Sequence, residues 1–128
     1  MTPITDPGQS RTRFITHQGE QILLLDYSDV SDENVAIEEI EKTKAIIARE
    51  PENSLRTLTY VAGSRYNPRI VEAMKDLVVH NKPYVRAAAV VGLHTLHRII
   101  YRAVVTVSRR NLKVFEDLEE AKDWLVTQ

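Results

Sequence analysis

Short apolar runs alternate along this chain with longer stripes of apolar residues at helical spacing, and this alternation limits the folds open to it. The run Ile22-Leu23-Leu24-Leu25 is continuous rather than alternating, which is typical of a strand covered on both faces. Residues 85–91 are mostly small and apolar and indicate a second buried strand of the same kind. Strands that alternate with amphipathic helices favour a mainly parallel sheet with helices on both faces.

Five strands and four helices are predicted, in the order β-β-α-β-α-β-α-β-α. The Gln18-Gly19-Glu20 segment predicts a hairpin between the first two strands, which adds one antiparallel strand to the sheet. The predicted strands are residues 13–17, 21–26, 55–61, 85–91 and 112–115, and the predicted helices are residues 32–50, 67–81, 93–107 and a last one that begins near residue 117.

Helix boundaries are marked by residues that cap or stop helices. Ser31 is the predicted cap of the first helix and Pro51 its stop. The pair Asn67-Pro68 is typical of a helix start. Residues 117–120 resemble a capping box and predict the start of the last helix.

The length of 128 residues suits one domain. We expect residues 1–12, which hold two prolines and a glycine, to form a flexible N-terminal tail, and residues 13–128 to form a single domain. The chain has no cysteine, which excludes disulfides, thiol catalysis and thiolate zinc sites and favours a reducing compartment. We therefore expect a cytoplasmic protein, with no apolar run of the length that a membrane span requires.

A basic segment contrasts with the net charge of -1. From Leu77 through Phe115 there are seven Lys and Arg residues and no Asp or Glu. Its arginines could meet a phosphate, an acidic protein or a lipid head group, but no nucleic-acid-binding signature accompanies them, so no nucleic-acid partner is predicted. His94 and His97 share a helix face at metal-ligand spacing, yet the surrounding arginines would repel a cation, so no metal is predicted.

Several enzyme and switch classes are excluded by missing motifs. A receiver domain needs an aspartate at the tip of its central strand, where this chain has Val61-Ala62-Gly63. No Gly-x-Gly-x-x-Gly or Walker sequence is present, and Ser64 does not lie within Gly-x-Ser-x-Gly. We therefore predict no enzymatic activity and no cofactor.

Polar residues follow the second, third and fourth strands, at the edge where strand carboxyl ends meet helix amino ends. Ligands of α/β proteins usually bind at this edge, and free helix amides there favour anions. The residues could form a small polar pocket, or they could simply cap helices and turns. The candidate binding residues are Asp26, Ser28, Ser64, Arg65, Tyr66, Asn67 and His94.

Three segments resemble the SpoIIAA-like branch of the STAS superfamily. The similarity spans roughly residues 13–126 in element order and is distinctive in its last third, where all three segments lie. They are Tyr84-Val85-Arg86-Ala87-Ala88-Ala89-Val90-Val91-Gly92-Leu93, then Ile100-Tyr101-Arg102, and residues 112–125. The resemblance implies an α/β sandwich with a mixed, mainly parallel five-stranded sheet. It also implies a regulatory or protein-binding module that is not an enzyme.

In the anti-sigma-factor antagonists of this superfamily, a serine after the third strand is phosphorylated by a partner kinase. The resemblance places Ser64 at this position, as a phosphoacceptor or as a simple loop residue, although the aspartate before it and the glycine after it are absent. The implied partner is a regulator or a kinase-like protein. The alternative is a carrier or sensor of a small anionic or amphipathic ligand, since the superfamily is related in fold to CRAL-TRIO lipid carriers. Self-association as a homodimer, through an edge strand or through apolar helix flanks, is a further expectation.

Overall fold

The computed structural model describes residues 10–93 and 112–128, and within these ranges it contains every predicted strand. Three of the predicted helices are present, and the helix predicted at residues 93–107 lies almost wholly outside the described residues. The elements are β1 Thr12–His17, β2 Glu20–Asp26, α1 Glu33–Ile47, β3 Leu55–Tyr60, α2 Pro68–Asn81, β4 Val85–Val91, β5 Leu112–Phe115 and α3 Leu118–Leu125.

The five strands form one sheet in the order β1-β2-β3-β4-β5. β1 pairs antiparallel with β2, and the pairs β2-β3, β3-β4 and β4-β5 are parallel. This confirms the predicted mixed, mainly parallel sheet. Because four strands run the same way, the carboxyl ends of β2, β3, β4 and β5 lie at one end of the sheet.

Each face of the sheet is covered by its own hydrophobic core. Successive side chains of a strand point to opposite faces, so Leu23 and Leu25 enter one core while Ile22 and Leu24 enter the other. The first core contains buried residues of α1 and α2, and the second contains Ala121 and Leu125 of α3. All four residues 22–25 are buried, which confirms that β2 is an interior strand covered on both faces.

A buried group of hydroxyls connects α1 to the sheet on the side of the first core. Thr43 Oγ1 of α1 lies 2.7 Å from Thr12 Oγ1 and 2.5 Å from the Tyr27 hydroxyl oxygen. It also donates to the Glu39 carbonyl oxygen at 2.9 Å. A hydroxyl has one proton and two acceptor sites, so Thr43 accepts hydrogen bonds from both of its neighbours. The group therefore satisfies polar atoms that would otherwise destabilise the core.

Some predicted boundaries differ from the structure. Asp32, not Ser31, caps α1, because its Oδ1 accepts from the amides of Asn34 at 2.8 Å and Val35 at 3.1 Å, and its negative charge suits a helix N-terminus. The helix ends at Ile47, before Pro51 is reached. β1 begins at Thr12, one residue inside the segment predicted as a tail, since Thr12 is buried against Thr43.

The other two described helices begin as the sequence predicts. Asn67 caps α2 and Pro68 is its first residue. Asp117 caps α3 by accepting from the Glu120 amide at 3.0 Å. Among the helices in residues 10–93 and 112–128, none combines the length and apolar character needed to cross a membrane.

Candidate functional site

Two loops meet where β2 and β3 end, and we call them together the carboxyl-end rim (residues 27–32 and 61–67). The amide of Tyr27 donates to the Tyr60 carbonyl at 2.8 Å, and that of Asp29 donates to the Ala62 carbonyl at 2.8 Å. In return, the amide of Arg65 donates to the Val30 carbonyl at 3.0 Å. These backbone bonds hold the two loops side by side, so Ser28 and residues 64–67 lie at the same end of the sheet.

Asp26 ends β2 and is fully buried. Its Oδ1 accepts from the Ser28 amide at 3.1 Å and from the Ser28 hydroxyl at 2.5 Å, which closes a tight local turn. Side chains alternate along β2, and Leu25 belongs to the first core, so the Asp26 carboxylate lies on the face of the second core. Asp26 and Ser28 therefore bond to each other on the face opposite Tyr27.

Arg11 contributes to this turn from a segment in which the sequence predicts only a tail. Its Nη1 donates to the carbonyl oxygens of Asp26 and Ser28, at 3.1 Å each. The amide of Asp26 donates back to the Arg11 carbonyl at 2.9 Å. No local pattern marks Arg11 as a contact residue, because its partners lie 15 and 17 residues away in the chain.

Ser64 is buried in the second loop, with 7% of its surface exposed. Its hydroxyl donates to the Val61 carbonyl at 2.6 Å, and its amide donates to the same carbonyl at 3.1 Å. Arg65, the next residue, is exposed. The loop thus turns its serine inward and its arginine outward.

Tyr66 is half-buried beside Ser64. Burial raises the pKa of the Tyr66 phenol to about 12, because the ionised form would be poorly solvated, and a hydrogen bond with the Ser64 side chain lowers this pKa in part. At neutral pH the phenol is therefore neutral. It is suited to packing and hydrogen bonding rather than to proton abstraction.

Asn67 joins the amino ends of the two helices. Its Oδ1 accepts from the Ile70 amide at 2.8 Å, and its Nδ2 donates to Glu33 Oε1 at 2.9 Å. The other oxygen of Glu33 pairs with Arg69 Nη1 at 2.8 Å. Glu33 lies in the first turn of α1. The sequence does not indicate its role, because its partners are at the cap and in the first turn of α2.

The glycines at this end of the sheet are needed for contacts within the protein. Gly63 has φ +74°, and a side chain there would come within 2.1 Å of the Asp29 carboxylate. Gly92 has φ +93°, and a Cβ there would lie 2.6 Å from the Ala62 amide nitrogen. Both positions favour glycine because of positive φ, and both let one loop approach another closely.

A narrow cavity of about 20 Å³ lies beneath the rim, lined by residues that include Tyr27, Val61, Ser64, Tyr66 and Met74. A cavity needs roughly 10–15 Å³ to hold one water molecule, whereas ligand pockets typically span about 300–1,000 Å³. In the part of the chain that the structure describes, the space beneath the rim therefore suits one water molecule and not a small organic anion.

Other predicted features lie outside the described residues. They are His94, His97, the Ile100-Tyr101-Arg102 segment and the basic residues Arg98, Arg102, Arg109 and Arg110. Within residues 10–93 and 112–128, no three His, Asp or Glu side chains are grouped as metal ligands.

Comparison with protein-family models gives no match, and comparison with curated proteins gives none either. Comparison with solved structures gives a clear match to an uncharacterized protein of the DUF3478 family from Shewanella loihica PV-4, described as having a SpoIIAA-like fold in its crystal structure at 2.25 Å resolution. The TM-score is 0.67 at 15% sequence identity, over 89% of this chain and 91% of the other. At this identity the match establishes architecture and not activity. The chain therefore has a SpoIIAA-like fold.

Proposed function

We propose that this protein is a non-enzymatic regulatory module that binds a protein partner across the surface of the carboxyl-end rim. The observation that carries the proposal is the cavity of about 20 Å³ beneath the rim. Among the described residues this space holds about one water molecule, so a partner would be recognised on the outer surface of the rim. The SpoIIAA-like fold is consistent with such a role.

Arg65 is the central contact residue of the proposed surface. Its side chain is exposed, whereas its amide is bonded to the Val30 carbonyl at 3.0 Å and the preceding residue is buried. A side chain on an anchored backbone loses less conformational entropy when it binds. Asp29 is exposed on the neighbouring loop, so the rim presents both signs of charge. Such a pattern favours specific recognition of a complementary protein surface.

Phosphorylation of Ser64 is a second part of the proposal. The hydroxyl is buried and donates to the Val61 carbonyl, so a kinase could reach it only after residues 63–66 open. A phosphate would add about two negative charges beside Arg65 and would prevent the loop from closing as before. Mapping phosphate on protein purified from its native host, with Ser64→Ala as the control, tests this part. A chain unmodified under all growth conditions would contradict it.

The test of the binding surface is a charge reversal with a matched control. Arg65→Glu alters the proposed surface, and Arg49→Glu makes the same change at another exposed arginine, just after the carboxyl end of α1. We expect tagged wild-type protein and Arg49→Glu to capture the same partner from the native host, and Arg65→Glu to lose it. Circular dichroism checks that both variants fold. Equal capture by Arg65→Glu would overturn the proposed surface.

Native mass spectrometry of freshly purified protein distinguishes this function from the alternative ligand carrier. The protein-binding function predicts the mass of the chain alone. A retained anionic or amphipathic molecule would favour the alternative, in which Asp26, Ser64, Arg65 and His94 orient the ligand, and would replace the proposal.

A further inference from the structure

β1 is an edge strand among the described residues, and its outer side carries backbone groups that the sheet does not use. The Asp26 amide donates to the Arg11 carbonyl, so Arg11 and Asp26 form a hydrogen-bonded pair in the antiparallel register of β1 and β2. Along an antiparallel ladder, hydrogen-bonded pairs alternate with pairs that are not hydrogen-bonded to each other. Residues 13, 15 and 17 therefore direct their amides and carbonyls toward β2, and residues 12, 14 and 16 direct theirs outward.

The outward groups form a pattern that is complementary to itself. A second copy of β1, antiparallel and centred on Phe14, would place Phe14 opposite Phe14 and Thr12 opposite Thr16. In this register every outward residue faces another outward residue, as a hydrogen-bonded ladder requires. The Phe14 and Thr16 amides would supply four backbone hydrogen bonds across the pair. The Thr12 amide already donates to Ser10 Oγ at 3.2 Å.

The side chains of β1 also suit pairing with a second copy. In the register centred on Phe14, Arg13 faces Ile15 of the other copy, so no like charges lie directly opposite. The strand contains no proline, glycine, lysine or acidic residue, which are the residues that usually protect an edge. Phe14 is 40% exposed, one of the most exposed large apolar residues in the described ranges.

A hollow of about 190 Å³ lies beside Phe14 and has a lining of mixed character. Its apolar residues are Phe14, Leu23, Pro51 and Leu55, and its polar or charged residues are Gln21, Glu50, Ser54 and Arg56. Two rings that meet across an antiparallel pair stabilise it beyond the area that they bury. Within the described residues the other edge strand is β5, which has only four residues and therefore offers a shorter edge than β1.

We propose that two copies of this protein associate through β1, antiparallel and centred on Phe14, so that their sheets join into one. The occupant of this edge is a second copy because the hydrogen-bonding pattern of β1 complements itself and Arg13 faces an apolar residue rather than another charge. This inference concerns a surface separate from the carboxyl-end rim and does not depend on the proposed function.

Sedimentation velocity of the full chain over increasing concentration, up to roughly 1 mM, tests the proposal. We expect a concentration-dependent dimer for the wild type. Thr16→Pro removes an outward amide without removing a bond to β2, and we expect it to lose the dimer, whereas Thr16→Val keeps the amide and the dimer. A wild type that stays monomeric throughout, or a Thr16→Pro dimer as stable as the wild type, would overturn the proposal.

A second pair of variants keeps the test decisive if proline disturbs the strand. Phe14→Lys places like charges opposite each other and should abolish the dimer. Val79→Lys changes another exposed apolar residue, which is 60% exposed on α2, and should have no effect. Equal loss in both variants would indicate general hydrophobic association and would overturn pairing through β1.

Cross-linking tests the register, since the chain has no cysteine of its own. Opposed residues of a hydrogen-bonded pair have Cα atoms about 5.5 Å apart, within the range that a disulfide spans. Under mild oxidation Phe14→Cys should form a covalent dimer faster than Val79→Cys. Equal rates would overturn the register centred on Phe14.

Discussion

The carboxyl-end rim and the outer edge of β1 use their polar groups in opposite ways. At the rim, the polar side chains of Ser64 and Asn67 bond to the protein's own backbone, and Asp26 and Ser28 bond to each other. At the edge, ordinary residues leave backbone amides and an aromatic ring directed outward. A polar side chain in this molecule is therefore not necessarily free to bind a partner. The rim should be sensitive to small changes of shape, and the edge should tolerate them.

The largest expected difference comes from two glycines that adjoin these regions, Gly92 against the rim residue Ala62 and Gly19 beside β1. Gly92→Ala should destabilise the protein by about 3 kcal/mol or more, because positive φ strains alanine and its Cβ would clash with Ala62. Gly19, in the hairpin turn beside β1, also has positive φ, but a Cβ added there would meet open space, with no atom of a packed neighbour within 4 Å. Gly19→Ala should therefore cost only about 1 kcal/mol. Urea denaturation measures both values, and equal losses would contradict a tightly packed rim.

A smaller effect is expected from ionisation of Tyr66. Its pKa is raised in the folded protein to about 12 from an ordinary value of 10.0. Between these two values the phenol of the unfolded chain ionises first, so stability should fall as pH rises through this window, by roughly 2 kcal/mol in all. Tyr66→Phe should lose less stability than the wild type over this pH range, because it has no phenol to ionise. Urea denaturation at about pH 9 and about pH 12 compares the two proteins, and identical losses would show that Tyr66 is not buried at the rim.

The smallest effect is expected from the removal of one hydroxyl in each region. Ser64→Ala should cost about 1 kcal/mol, because a buried hydrogen bond to the Val61 carbonyl is lost. Thr16→Val removes an exposed hydroxyl of β1 and should change stability by less than about 0.5 kcal/mol. Loss of the Ser64 hydroxyl should also raise the pKa of Tyr66, which a titration of phenolate absorbance detects. Equal losses of stability in Ser64→Ala and Thr16→Val would contradict the expected difference between the rim and the edge.

The architecture could be predicted from the sequence because its signals are local. Continuous apolar runs mark the buried strands, and the Asn67-Pro68 pair marks the start of α2. Each of these signals consists of residues that are adjacent in the sequence. The cap of α1 is harder to predict, because Ser31 and Asp32 are both suitable residues and only the amides of Asn34 and Val35 decide between them.

The interior of the candidate site could not be predicted, because it depends on contacts between distant segments. Nothing near Asn67 indicates Glu33, and nothing near Asp26 indicates Arg11. The sequence places Asp26 and Ser64 at one end of the sheet, but the alternation of side chains puts the Asp26 carboxylate on the face opposite Tyr27. Gly63 and Gly92 permit another segment to approach the backbone closely, but the sequence does not indicate which segment. The structure shows that Gly63 lies against Asp29 and that Gly92 lies against Ala62.

The contacts of Arg11 have a practical consequence for shortened versions of the protein. Its guanidinium bridges two carbonyl oxygens at the end of β2, and its own carbonyl accepts the Asp26 amide. A fragment that starts at the first residue of the sheet would discard this clamp and expose three main-chain groups to solvent. Expression fragments should therefore begin no later than Ser10, although residues 1–12 have the composition of a flexible tail.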